Sequence, residues 1–306
     1  MSHNIAIFFT TTSFKQWRST QQNHIAFVPT MGNLHIGHIA LLELAIQKIS
    51  TVVLSIFVNP TQFAPTEDFE KYPRTLEQDV QLVSELQNKY PESQIVIYAP
   101  KDPSEVYSKN FSSFISPGIL GTILEGEKRP GHFQGVCSVV NILLNIIRPH
   151  CLYLGKKDYQ QWKVLEKMIQ DLQLPVAVIA GETVRTDQGL ALSSRNSYLS
   201  PEQQQLALNF PRSLQKLKDR LLEHWNMDQH WNLTQVENIV TTFCAESTLY
   251  WDYCTIRQQD LAVLNEHSLQ VVILGVIKIN HVRLLDNLEL NLEQNKDIKT
   301  FMSSYE

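Results

Sequence analysis

The sequence predicts an α/β protein: a parallel sheet flanked by helices, followed by a smaller α+β segment. Three observations carry that prediction. Short apolar runs alternate with helix-periodic stretches as far as residue 179. Several of those runs, such as residues 52–58, are nearly continuous and β-branched, the pattern of strands buried on both faces. After Ser200 the order changes to two helical stretches and then three strand-like runs.

Composition bounds the rest. A chain of 306 residues exceeds one average domain, so two are expected: 1–183 around the parallel sheet and 184–293 as the smaller part, with a polar, frayed tail at 294–306. With 43% hydrophobic and 19% charged residues the chain can bury a substantial core. The net charge of −5 argues against a general nucleic-acid or membrane-surface binder. Cys137, Cys151, Cys244 and Cys254 form no C-x-x-C, so neither a disulfide framework nor a zinc ribbon is indicated. No apolar run reaches the roughly 18 residues of a membrane span, and the N-terminus lacks a basic region leading into a long apolar core. A cytoplasmic protein is the expectation.

The elements follow in order. Residues 10–23, polar around Phe14 and Trp17, predict a short first helix. The apolar run 25–28 ends in Pro29-Thr30 and a turn at Gly32, then opens into an apolar-periodic segment: a strand feeding a helix through a tight loop. His35 and His38 stand three apart at that helix start and share a face. The free N–H groups of a helix N-terminus favour an anion. Two imidazoles beside them can donate to phosphate oxygens and, when protonated, add charge. Gly32 and Gly37 lack a Cβ and admit a flat ring or a phosphate close to the backbone. A His-x-x-His pair alone is common on helices, and no further Cys or His cluster completes a zinc site. Its setting, directly after a strand and a glycine turn, points to a nucleotide-phosphate site.

Residues 52–58 complete a βαβ unit. Beyond them come Asn59-Pro60-Thr61-Gln62, where ligands bind in open α/β sheets. The Gln62 amide suits a substrate hydroxyl or carboxylate, whereas Asn59 and Pro60 read as a turn. Glu67-Asp68 and Tyr72-Pro73-Arg74 form a loop, and Glu77 and Asp79 open the next helix. A carboxylate there suits Mg²⁺ or, equally, a helix N-terminus. A third strand is read at 95–98. A polar Gly/Pro loop, 124–136, carries Arg129 and His132 ahead of an apolar helix at 136–147 and is anion-friendly. His132 reads equally well as a loop-packing residue.

The fourth strand, 151–154, leads at once into Gly155-Lys156-Lys157-Asp158 and a helix at 159–172, with Gln161 in its first turn. The two lysines can neutralise phosphate as point charges. After a last strand at 176–179, the loop from Val184 to Asn196 carries Ser193, Ser194 and Arg195, two hydroxyls and a planar fork suited to a triphosphate. Ser200 as N-cap, Pro201 at N1 and Gln203 at N3 spell a helix start. Helical periodicity runs to Leu222 and again over 236–245, and strands are read at 250–256, 271–279 and 282–285.

Together these motifs resemble one family. Pro29-Thr-Met-Gly-Asn-Leu-His-Ile-Gly-His38, Ser55-Ile-Phe-Val-Asn-Pro-Thr-Gln-Phe63, Tyr72-Pro-Arg-Thr75, Leu124-Glu-Gly126 with Arg129-Pro-Gly-His-Phe-Gln-Gly-Val136, and Gly189-Leu-Ala-Leu-Ser-Ser-Arg-Asn196 are similar, in register, to the pantoate–β-alanine ligases. The likeness resumes at Arg283-Leu-Leu-Asp-Asn287 and covers nearly the whole chain. It implies a Rossmann-like domain of the HIGH-motif nucleotidyltransferase type, a smaller α+β C-terminal lid domain and a homodimer. It also implies condensation of pantoate with β-alanine to pantothenate through a pantoyl adenylate. ATP with Mg²⁺ is the co-substrate, and AMP and diphosphate are released.

Carried over residue by residue, the resemblance makes His38, with His35 and Lys157, catalytic. It assigns Met31, Gly32, His35, His38, Gly155, Lys156, Lys157, Asp158, Val184, Leu192, Ser193, Ser194 and Arg195 to ATP. Gln62, Gln161 and Met31 fall to the pantoate and β-alanine pocket, and Asp79 to the magnesium side. Two departures stand out: Lys156 occupies a position where the family usually has glutamate, and Tyr107-Ser108 replaces the usual Tyr-Pro. Another nucleotidyltransferase would share the histidine helix but has no need of Gln62 and Gln161. A nucleotide-binding protein without catalysis would have Lys156 as its support.

Overall fold

The computed structural model describes residues 5–63, 69–228 and 230–292; the expected loop at Glu67-Asp68 and the tail at 294–306 lie outside them. The chain divides into two compact units, Met1–Val184 and Arg185–Glu306.

The first unit is built from β1 (Ala6–Phe8), α1 (Thr11–Thr20), β2 (Ile25–Thr30), α2 (Ile36–Ile46), β3 (Thr51–Ile56), α3 (Leu76–Lys89), β4 (Gln94–Tyr98), α4 (Glu125–Lys128), α5 (His132–Ile147), β5 (Cys151–Gly155), α6 (Tyr159–Asp171) and β6 (Ala177–Gly181). Its sheet runs β1-β4-β3-β2-β5-β6, and every pairing is parallel. The predicted α/β class is thus observed. Ala26, Val28, Val52, Leu54, Ile95 and Ile97 are buried among Leu42, Ala45 and Ile46 of α2 and Val83 and Leu86 of α3. The alternate residues Phe27, Val53, Val96 and Tyr98 are also fully covered, which is why these strands read as continuous apolar runs.

Two local departures from the sequence reading have simple causes. The edge strand β1 has three residues, too short for a periodic signal. Helix α5 begins at His132 rather than 136, because its polar first turn follows a left-handed Gly131.

The second unit contains α7 (Pro201–Ala207), α8 (Asn209–Asp228), α9 (Leu233–Glu246) and the antiparallel strands β7 (Tyr250–Gln258), β8 (Gln270–Ile279) and β9 (Val282–Asn291) in the order β7-β8-β9. The Ser200 capping box forms as the sequence spells it: Ser200 Oγ accepts from Gln203 N, and Gln203 Oε1 accepts from Ser200 N at 2.9 Å. Phe210, Leu214, Leu217, Leu221 and Trp225 make one stripe of α8, buried with Val271, Ile273, Ile277 and Ile279 of β8. No helix among the described residues is long and apolar enough to cross a membrane.

One contact fixes the site-bearing end of the first unit. Gly135, in the first turn of α5, lies so close to the 3-10 turn Pro60–Gln62 that a Cβ there would meet Thr61 O at 2.3 Å and Gln62 N at 2.7 Å. Both neighbours are backbone and cannot rotate aside. Gly135→Ala is therefore expected to destabilise the chain by about 1–3 kcal/mol in chemical denaturation. An unchanged midpoint would show that the turn yields freely.

Candidate active site

The sheet order reverses about β2: β3 and β4 extend it one way, β5 and β6 the other. In open parallel sheets such a reversal opens a binding crevice beyond the strand carboxyl ends. β2 pairs with β3 as far as Thr30 but with β5 only through Ala26 and Phe27. Pro29, which has no N–H to donate, lies two residues on, in the stretch unpaired with β5.

The turn out of β2 takes positive φ at Gly32 (85°) and Asn33 (51°). Asp79, in the first turn of α3, holds it: its carboxylate accepts from Leu34 N at 2.7 Å, Asn33 N at 3.1 Å and the Thr75 hydroxyl at 3.2 Å. Burial leaves Asp79 1% exposed and raises its pKa, while these donors pull it down. The sequence offered Asp79 to Mg²⁺ or to a helix N-terminus. The structure commits both its oxygens to the turn, and no group of three or more His, Cys, Asp or Glu side chains suited to a metal occurs among the described residues.

Behind this turn His35 is the N-cap of α2, and its Nδ1 accepts from Gly37 N at 3.1 Å. His38 Nδ1 accepts from His35 N at 3.3 Å, and the rings lie 4.1 Å apart. Each neutral ring therefore carries its proton on Nε2. Burial, then its neighbour His35, lowers the His38 pKa to about 3, with Asp158 opposing and Lys157 assisting. His35 is lowered too, by burial first and then by Lys157. The pair is uncharged at neutral pH, so the positive charge allowed by the sequence is not available. What remains is two directional N–H donors.

Lys157 and Asp158 lie in the 3-10 turn after β5, with Lys157 Nζ 3.2 Å from Asp158 Oδ1. Both act electrostatically on the two imidazoles, so the segments that follow β2 and β5 lie close together. Lys156 Nζ pairs instead with Glu182 Oε1 at 2.7 Å, just past β6, and lies 5.8 Å from the Trp162 ring. The charge reversal at 156 therefore leaves the Lys157–Asp158 pair in place.

Gln62 ends the 3-10 turn and donates to Met31 Sδ at 2.9 Å. Its Oε1 accepts from Asn59 Nδ2, which also reaches Gly135 O. Asn59 Oδ1 accepts from the Tyr107 hydroxyl at 2.6 Å and from Thr61 N. Burial pushes the Tyr107 phenol up to about 12, so it stays a donor. The sequence reading left Asn59 as a turn residue, because its partners Tyr107 and Gly135 are remote in the chain.

His132 Nδ1 lies 2.9 Å from the Gln62 carbonyl, and its Nε2 lies 3.1 Å from Arg129 Nη1. A carbonyl only accepts and a guanidinium only donates, so His132 carries its proton on Nδ1, the opposite tautomer to the pair on α2. Gln161 is half-buried in the first turn of α6 with no hydrogen-bond partner among the described residues.

Val184 closes the first unit, half-buried. In the second unit Leu192, Ser193 and Ser194 are half-buried and Arg195 exposed, and Ser193 Oγ caps the following turn through Arg195 N. Arg185 steadies that loop with a bidentate pair to buried Asp286, at 2.6 and 2.8 Å.

Comparison with known proteins decides the family. The model of the pantoate-beta-alanine ligase family matches residues 6–289. The chain belongs to the pantoate–β-alanine ligase family. It is 40% identical over 274 residues to a pantothenate synthetase of Nitrosospira multiformis, covering 89% of this chain and 94% of that one. The crystal structure of pantothenate synthetase from Thermus thermophilus superposes with a TM-score of 0.81 at 35% identity, over 93% of this chain and 99% of that chain. A pantoate–β-alanine ligase from Francisella tularensis, solved with beta-gamma ATP and β-alanine, matches at 32% identity and a TM-score of 0.68, over 93% and 97%. The chain is thus a ligase of this family.

The tautomers are directly measurable. In nitrogen-15 NMR, His38 should show protonated Nε2 and bare Nδ1, with no titration between about pH 5 and 8. A midpoint near the ordinary histidine value would contradict the buried, uncharged pair.

Proposed function

We propose that the chain joins pantoate to β-alanine in two steps on MgATP. A carboxylate oxygen of pantoate attacks the α-phosphorus and displaces diphosphate, giving pantoyl adenylate. The amine of β-alanine then attacks the acyl carbon, loses a proton, and AMP leaves with the oxygen that pantoate supplied. The observation that carries this reading is the pair of Nε2–H donors at the start of α2, set beside Lys157. Charge grows on phosphate oxygens in the first step, and prearranged donors with one ammonium group are what stabilise it.

Met31, Gly32, His35 and His38 with Gly155, Lys156, Lys157 and Asp158 take the nucleotide. Gln62 and Gln161, with Met31, take the hydroxyls and carboxylate of pantoate. Val184, Leu192, Ser193, Ser194 and Arg195 are further candidates for ATP. Mg²⁺ enters on the triphosphate, and Asp79 supports the turn rather than the ion. The complex of the Francisella relative with beta-gamma ATP and β-alanine supports the choice of substrates. A cytoplasmic homodimer accompanies this reading.

The test is AMP formation from MgATP with pantoate, with and without β-alanine. Sustained AMP release should need both acids, and Gln161→Ala should raise the pantoate KM about tenfold or more. ATP binding without turnover under any combination would instead identify a silent nucleotide-binding member of the family.

A further inference from the structure

Gln160, the neighbour of Gln161 on α6, is 5% exposed and spends its whole amide on one segment of chain. Its Nε2 donates to Leu120 O at 2.7 Å and Ile123 O at 2.8 Å, and its Oε1 accepts from Glu125 N at 3.0 Å. Between those contacts Leu124 sits at φ 52°, ψ −117°. A side chain with a Cβ holds such a conformation only where its surroundings impose it. Within the segment Gly121 and Gly126 pack so closely that a Cβ at Gly126 would fall 2.1 Å from Gly121 O.

A continuous path leads from this turn to Gln62. Arg129 N donates to Glu125 O at 2.8 Å. Arg129 Nη1 reaches His132 Nε2, and His132 Nδ1 donates to the Gln62 carbonyl. Consecutive residues of a helix face different ways, so one turn of α6 offers Gln161 to the pocket and turns Gln160 onto the chain that supports Gln62.

We propose that Gln160 is a positioning residue for the pantoate pocket: its buried amide imposes the strained turn at Leu124, and through Arg129 and His132 that turn sets Gln62. This rests on the reading that Gln62 and Gln161 hold pantoate. Removing the amide takes away the Gln160 contacts of Leu120 O and Glu125 N and one of the two donors to Ile123 O, which keeps Gly126 N, and frees Leu124 to leave the left-handed region.

The experiment measures KM for pantoate and for ATP in Gln160→Leu, Gln160→Glu and Gln160→Leu/Leu124→Gly, with Gln161→Ala alongside. Glycine adopts positive φ without strain, so the double variant restores the turn without the strut. The pantoate KM should rise about tenfold to a hundredfold in Gln160→Leu. The ATP KM should stay within about twofold, and Leu124→Gly should recover most of the loss. Gln160→Glu, which keeps the acceptor and loses the donors, should move the same way if Gln160→Leu does not fold. An unchanged pantoate KM in a folded Gln160 variant, an equal rise in both KM values, or no recovery from Leu124→Gly overturns the proposal. If Gln161→Ala leaves the pantoate KM unchanged, the pocket reading itself fails. If only the Gln160 variants are silent, the positioning role alone fails.

Discussion

A single buried carboxylate holds the working end of this enzyme. Asp79 reaches from α3 to the turn between β2 and α2 and accepts from two backbone N–H groups that no strand or helix ladder could satisfy. A buried carboxylate is costly unless its oxygens are filled, and an orphaned N–H is costly as well. Each offsets the other, and the left-handed turn through Gly32 and Asn33 is the result. That turn delivers His35 as an N-cap rather than as a helical residue. His35 in turn offers its backbone N–H to His38. Remove the carboxylate and the ring positions lose their origin.

The site then divides its electrostatic work. The imidazoles cannot supply charge, because burial and their mutual proximity keep them neutral. They supply direction, with each Nδ1 tied back to the helix start so that Nε2–H is the free donor. In the proposed reaction the charge comes from Lys157, which pairs with Asp158. Lys156, the conspicuous departure from the family pattern, pairs with a Glu182 carboxylate that is 82% exposed. A solvent-screened pair of that kind contributes little to stability. Its consequence for the pocket is small so long as Lys157 keeps its own partner.

Most of the fold was legible in the sequence, and so were most of the residues proposed for the site. Continuous apolar runs followed by glycine turns gave the parallel strands, and the stretches past those strands supplied the candidates His35, His38, Gln62, Lys157 and Gln161. The parts that escaped share one physical reason: their partners are distant along the chain. Asp79 bonds to residues 45 and 46 positions earlier. Asn59 bonds to Tyr107 and Gly135, and His132 to Gln62. No local pattern distinguishes a hub from a turn residue when the hub is made by tertiary contact. Gln160 and Gln161 illustrate the same point, since two identical neighbours differ only in what the fold puts opposite them.

The central claim is that pantoate itself attacks the α-phosphorus within this crevice. Pantoate labelled with oxygen-18 in its carboxylate tests it most directly, by mass spectrometry of the nucleotide product. The account predicts one labelled oxygen carried into AMP for each pantothenate formed. Unlabelled AMP formed together with pantothenate would contradict it, because the acyl group would then have been activated without ever bonding to that phosphorus.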